Sequence, residues 1–329
     1  MQPPASGPTS REPASPGAPI ASPAFTIERP ASAFGAETAA SYAGYYINLD
    51  RSLERRTHIE SELARHGRGQ VYERFSAADG NAYKLPNQRL APGEMGCFLS
   101  HLFLLQQKLT AGVHLHIVED DVILSPFTVP AIAAAIRSGL IDRFDVVFTD
   151  SFVQPTPLDY PEHKRLFDSN IERDARGVVA RVHPTIVNYQ AGTASYIVNR
   201  ASIAKLADVL VRSLASGAAI PLDLAIRKAA KERTLRVGCL FPFVSSVRIE
   251  ETVNNTIGGR SGDDLSRLLP QIGRHSFFVD CNHRALCELT QGLLASAGAR
   301  PEAACGVNPH QRLLDQIAAF CGSGSFVAH

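Results

Sequence analysis

The stretch His114-Leu115-His116-Ile117-Val118-Glu119-Asp120-Asp121-Val122-Ile123-Leu124 constrains this chain more than any other. Its apolar residues alternate and then run together, rich in Val and Ile, which predicts a buried strand that ends on three consecutive acids. Carboxylates so close repel one another and cannot all be buried ionised, so water, a basic partner or a cation must compensate them. A divalent cation is the compensation with chemical consequences. Oxygen ligands suit Mg²⁺ or Mn²⁺, which keep a few protein carboxylates and fill the rest of their shell with water and substrate phosphates. A nucleotide-bearing substrate is then the natural guest. The plainer alternative is a strand-to-loop junction whose acids are simply solvated.

The remaining composition narrows the field. With 329 residues, 45% of them hydrophobic and 20% charged, the chain can bury a large core. A formal net charge of +1 gives no electrostatic case for a nucleic-acid binder, so an anionic ligand must be met by a local cluster of cations. Cys97, Cys239, Cys281, Cys287, Cys305 and Cys321 form no CxxC pair and follow no secretory signal, which predicts reduced thiols rather than a disulfide framework. The last four, with His283 and His310, are spaced too widely for the usual zinc patterns. No apolar run approaches the roughly 20 residues needed to span a bilayer.

Along the chain, residues 1 to about 40 are rich in Pro, Ala, Ser and Gly and read as a disordered tail, one able to carry a secretion address. Tyr45-Tyr46-Ile47-Asn48-Leu49-Asp50 predicts a strand that runs into a helix whose first turns hold Arg51, Arg55 and Arg56. Cations are unfavourable at a helix start unless an anion sits there, and this is where α/β proteins hold phosphates. A solvated basic face is the competing reading. A second strand covers 70 to 75, and a helix from about Gly93 carries Cys97, Ser100 and His101 among apolar residues. A helix from about Phe127 to Gly139 leads to a strand ending at Asp150. Residues 152 to 185 read as a long, partly irregular insertion. A strand over 190 to 198 and a helix through Leu206 and Leu210 follow. Pro221 and Asp223 open the next helix, where capping is the ordinary role of such an Asp. A final strand covers Leu235 to Phe241, and the chain is helical from about Ser266.

Four of these blocks, in order, carry a resemblance: Tyr46-Ile47-Asn48-Leu49-Asp50-Arg51 with Arg55-Arg56; Gly93-Glu94-Met95-Gly96-Cys97-Phe98-Leu99-Ser100-His101; Val118-Glu119-Asp120-Asp121-Val122; and Gly192 to Val198 with Pro221-Leu222-Asp223. Over roughly 43 to 257 the chain resembles glycosyltransferase family 25, the lipopolysaccharide and lipooligosaccharide glycosyltransferases. The resemblance implies a GT-A-like, Rossmann-type mixed sheet flanked by helices, as a catalytic domain over 41–260 between the tail (1–40) and a helical extension (261–329). It implies transfer of a hexose, galactose first, from a UDP-sugar to a glycan or lipopolysaccharide acceptor with inversion. Mn²⁺ or Mg²⁺ would stabilise the leaving UDP. Carried over by position, Asp121 is the expected metal ligand with Asp120 beside it. Asn48, Asp50, Arg51, Arg55, Ser100, His101, Glu119, Asp120, Gly192 and Thr193 are the expected substrate-binding positions. Inversion also needs a carboxylate to take the acceptor proton. Asp223 is the first candidate and Asp150 the second.

Two other functions fit the same acids. One is a metal-dependent phosphohydrolase that splits a nucleotide sugar with water. The other is a catalytically silent relative that binds a glycan or a partner protein. The expected setting is bacterial and cytoplasmic, peripheral at the inner membrane, with secretion through the tail as the alternative.

Overall fold

The computed structural model describes residues 24–28, 42–69, 71–85, 88–152, 160–170, 177–184, 192–217, 220–248, 265–298, 315–317 and 319. In chain order the strands are β1 (Ala24–Glu28), β2 (Tyr42–Asn48), β3 (Tyr72–Ser76), β4 (His114–Glu119), β5 (Val122–Leu124), β6 (Val146–Phe148), β7 (Gly177–Pro184), β8 (Ser195–Val198), β9 (Val237–Phe241) and β10 (Ser245–Val247). The helices are α1 (Leu53–Arg65), α2 (Pro92–Gln107), α3 (Thr128–Arg137), α4 (Tyr160–Asn170), α5 (Ile203–Ala215), α6 (Leu222–Lys231), α7 (Leu265–Ser276) and α8 (His283–Gly298).

Among the described residues eight strands form one mixed sheet in the order β1-β7-β9-β6-β8-β4-β2-β3, and β5 pairs with β10 apart from it. The β3-β2-β4 third is parallel, because α1 and α2 are the crossovers that return the chain to the same edge. Beyond β4 the sheet mixes directions: β8 runs antiparallel to both β4 and β6. The expected mixed α/β sheet flanked by helices is the observed one.

Side-chain alternation explains why both faces are covered. On β2, Tyr45 and Ile47 enter one apolar core, and Tyr42 and Tyr46 the other; on β6, Val146 and Phe148 oppose Val147. The first core is filled by α2, α5 and α6, the second by α1 and α3. Ile59 and Leu63 of α1 lie one turn apart and are both buried, which seats this otherwise polar helix on the sheet.

The acid-bearing stretch is two elements. β4 ends at Glu119, Asp120 and Asp121 form the turn, and β5 leaves the main sheet to pair with β10. Residues 152–185, expected as a partly irregular insertion, contain α4 and the sheet strand β7. The β-branched run in Gly177-Val178-Val179-Ala180-Arg181-Val182 suits a strand, and Tyr160 and Phe167 of α4 are buried. Within the expected tail, Ala24-Phe25-Thr26-Ile27-Glu28 is short and alternating, and it pairs with β7 as the sheet's edge. The rest of the tail, Cys305 and Cys321 lie outside the described residues. Cys97, Cys239 and Cys287 are free thiols.

Candidate active site

β2, β3 and β4 end on one edge of the sheet, at Asn48, Ser76 and Glu119, and open α/β sheets bind ligands beyond such carboxyl ends. There the three acids meet three different environments. Glu119 Oε1 accepts from Thr193 Oγ1 at 2.8 Å, lies 3.5 Å from His101 Nε2 and receives the Cys97 thiol at 3.9 Å. Burial pushes this carboxyl up, but His101 and Thr193 together outweigh it and hold it below its usual range. The Tyr196 hydroxyl lies 2.7 Å from His101 Nδ1, fixing the ring from its other side. Thiol, imidazole and carboxylate therefore cluster together, with His101 Nε2 buried and without a hydrogen-bond partner among the described residues.

Asp120 is engaged on both oxygens. Oδ2 accepts from Asn48 Nδ2 at 2.7 Å, and Oδ1 from Arg55 Nη1 at 3.2 Å. Asn48 is itself fixed, donating to Ser52 O at 3.1 Å and accepting from Arg74 Nε at 3.2 Å. The strand end, the start of α1 and the acid turn are thereby tied together.

Asp121 is different. Its Oδ2 lies 3.9 Å from Arg55 Nη1, and among the described residues its buried Oδ1 has no hydrogen-bond partner. Burial first, and the neighbouring Glu119 charge second, push this carboxyl up to about 7. A carboxylate so placed is short of positive charge, and a hard divalent cation fits that deficit. Of the two expected metal ligands, Asp121 presents the open oxygen, while the oxygens of Asp120 are spent on Asn48 and Arg55.

Two adjoining cavities meet at this motif and share Arg55, Cys97 and Glu119. The first, about 380 Å³, lies between β2 and the loop after β3 and includes Asn48, Arg51, Asp79 and Asn81. Its wall exists because two glycines let the loop touch α2: a Cβ on Gly80 would stand 1.7 Å from Pro92 O, and one on Gly96 2.8 Å from Ala78 O. Ser100 holds the contact, accepting from Ala78 N at 2.8 Å and donating to Gly96 O at 2.6 Å. Arg51 pairs with Asp79 on the rim, and exposed Asp50 accepts from Arg74 and Ser76 at 2.6 and 2.8 Å.

The second cavity, about 330 Å³, is lined by Asp121, Gly192, Thr193, Asp223, Gln271 and Arg274, among others. Asp223 sits in the first turn of α6, where the backbone's positive end faces it. Its Oδ2 accepts from Gly192 N at 3.2 Å and its Oδ1 from Leu224 N at 2.8 Å, yet burial leaves the carboxyl above its ordinary range. Asp150, at the end of β6, is held differently. Arg274 reaches it from α7 with Nε 2.5 Å from Oδ1 and with Nη2 on Oδ2, both partners buried.

The structure thus brings Asn48, Arg51, Arg55, Ser100, His101, Glu119 and Asp120 to the first cavity, and Arg55, Glu119, Asp121, Gly192, Thr193 and Asp223 to the second. Sequence reasoning missed Arg274, Gln271 and Tyr196. Tyr196 stands in a strand with the look of plain core, and nothing local to α7 advertises its approach to β6.

Residues 43–225 match the model of glycosyltransferase family 25, described as an LPS biosynthesis protein. The chain belongs to glycosyltransferase family 25. The matched span holds both cavities' acids and ends before β9, β10 and α7, so this glycosyltransferase builds part of its second cavity from residues beyond the match. No curated protein matches the chain. Among the described residues no helix is long and apolar enough to cross a membrane.

Proposed function

We propose that this family 25 glycosyltransferase moves a hexose, galactose first, from a UDP-sugar to a glycan or lipopolysaccharide acceptor with inversion at the anomeric carbon. The observation that carries the reading is the open Oδ1 of Asp121, buried in the cavity that also holds Asp223 and next to a nucleotide-sized cavity that reaches Glu119 and Asp120. Asp121 would hold Mn²⁺ or Mg²⁺, which supplies electrostatic stabilisation of the departing diphosphate. Arg55 lies between Asp120 and Asp121 and adds a fixed positive charge at the same place. Asn48 and the Ala78–Asn81 loop face the nucleoside.

Asp223 takes the proton of the acceptor hydroxyl as that oxygen bonds to the anomeric carbon, and the bond from that carbon to UDP breaks on the opposite face. Its carboxyl is suited to this, because burial raises its proton affinity while Gly192 and Leu224 fix its position. Asp150 is a weaker candidate. Both of its oxygens face Arg274, so accepting a proton would break a buried ion pair.

Calorimetry with UDP, in Mn²⁺ and in EDTA, tests the donor site. Metal-dependent binding that Asp121→Ala abolishes is expected. Binding indifferent to both would remove the acid motif from the mechanism. Release of UDP at a rate no acceptor changes would favour the hydrolase reading.

A further inference from the structure

We infer that α7, which lies outside the matched family span, reads the transferred hexose, with Gln271 as the specificity-determining contact and Arg274 as its positioning residue. The inference rests on the donor reading above. Gln271 and Arg274 line the cavity that also contains Asp121 and Asp223, where a sugar joined to a metal-bound diphosphate has to sit.

The amide of Gln271 is oriented by its neighbour. Its Oε1 accepts from Arg274 Nη1 at 3.3 Å, which leaves the amide nitrogen as the end available to a ligand hydroxyl. Arg274 has little freedom to do otherwise. It is 3% exposed, is locked on both oxygens of Asp150, and lies with Cζ 5.0 Å from the centre of the Phe152 ring, which lines the same cavity. β6 therefore fixes Asp150, Asp150 fixes Arg274, and Arg274 fixes Gln271. α7 is also anchored at its end: Phe277, the residue after it, is buried, and Phe243 N donates to Phe277 O at 2.9 Å. A neutral, rigidly held amide suits a ring of hydroxyls, since it discriminates their positions through a donor that must be satisfied.

The test compares calorimetric Kd values for UDP, UDP-galactose, UDP-glucose and UDP-N-acetylglucosamine with Mn²⁺, in wild type, Gln271→Ala and Arg274→Lys. In wild type the affinities for the three sugar nucleotides are expected to differ. Gln271→Ala should compress that spread at least fivefold while the Kd for UDP moves less than twofold. Arg274→Lys, which keeps the charge but loses the fork, should compress it in the same direction. Gln271→Glu keeps an acceptor but loses the amide donor and should behave like Gln271→Ala, which a purely structural role for this residue would not require. An unchanged spread in Gln271→Ala, with UDP binding intact, overturns the assignment to α7 and leaves the donor site standing. Absence of UDP binding in wild type overturns the donor reading and this one with it.

Discussion

Arg274 and Asp150 form a fully buried bidentate ion pair that joins α7 to the end of β6. Truncating one partner leaves a buried charge with no counter-ion, which costs about 3–5 kcal/mol. Arg274→Ala should therefore lower unfolding stability by that order in a urea titration. The double variant Arg274→Met with Asp150→Leu should recover much of the loss, because it removes both charges together. A single variant as stable as wild type would mean that α7 does not hold this position in solution.

Gly80 offers a second check, on the nucleotide side. A methyl group there would drive into Pro92 O, a backbone atom at the start of α2 that cannot step aside cheaply. Gly80→Ala should cost about 1–3 kcal/mol and weaken UDP binding, since the loop it displaces lines the cavity. Ala82, two residues on, is a control: Ala82→Gly should leave UDP affinity near wild type. Equal UDP affinity in Gly80→Ala and wild type would separate this loop from the nucleotide.

What could be read in advance was whatever lies close together in sequence. The acid turn, the basic start of α1 and the Gly93-to-His101 block each announce themselves by composition, and the sheet edge then assembles them. Asp223 was legible only through the resemblance, because an Asp in the first turn of a helix has an ordinary capping role. The partners that distinguish Asp121 from Asp120 were not legible. That difference comes from Asn48 and Arg55, which arrive from β2 and α1 only when the sheet forms. Arg274 was still further away, 124 residues from Asp150, and no periodicity links them. The β7 strand was missed because its neighbours β1 and β9 lie on either side of it in space and far from it in sequence.

His116 gives the fold a predictable acid sensitivity. Its Nδ1 lies 2.5 Å from the Tyr72 hydroxyl and its Nε2 3.0 Å from Ser195 Oγ, and burial lowers its pKa from 6.5 to about 3. Between those values the unfolded chain binds a proton that the folded chain refuses, so stability falls as pH drops through 6.5. The slope from this residue is at most about 1.4 kcal/mol per pH unit. Urea titrations at pH 7.5 and 5.5 should show the loss in wild type and a shallower one in His116→Gln. Parallel slopes in the two proteins would assign the sensitivity to other groups.

Asp121 and Asp223 should fail in different ways, and the difference is the sharpest test of their roles. Asp121→Asn removes a charge from the site of the departing diphosphate, so metal affinity and kcat/KM should fall together, by roughly 10²–10³-fold in the latter. Asp223→Asn leaves the nucleotide cavity alone but removes the proton acceptor. Its kcat should fall about 10²–10⁴-fold with the donor KM nearly unchanged. Because burial raises the Asp223 carboxyl above its ordinary range, wild-type kcat should also lose activity on the acid side as that carboxyl takes a proton. That limb should vanish from whatever activity Asp223→Asn retains. A variant that keeps both its turnover and its acid limb would return the search for the base to the other carboxylates of the second cavity, Glu94 first.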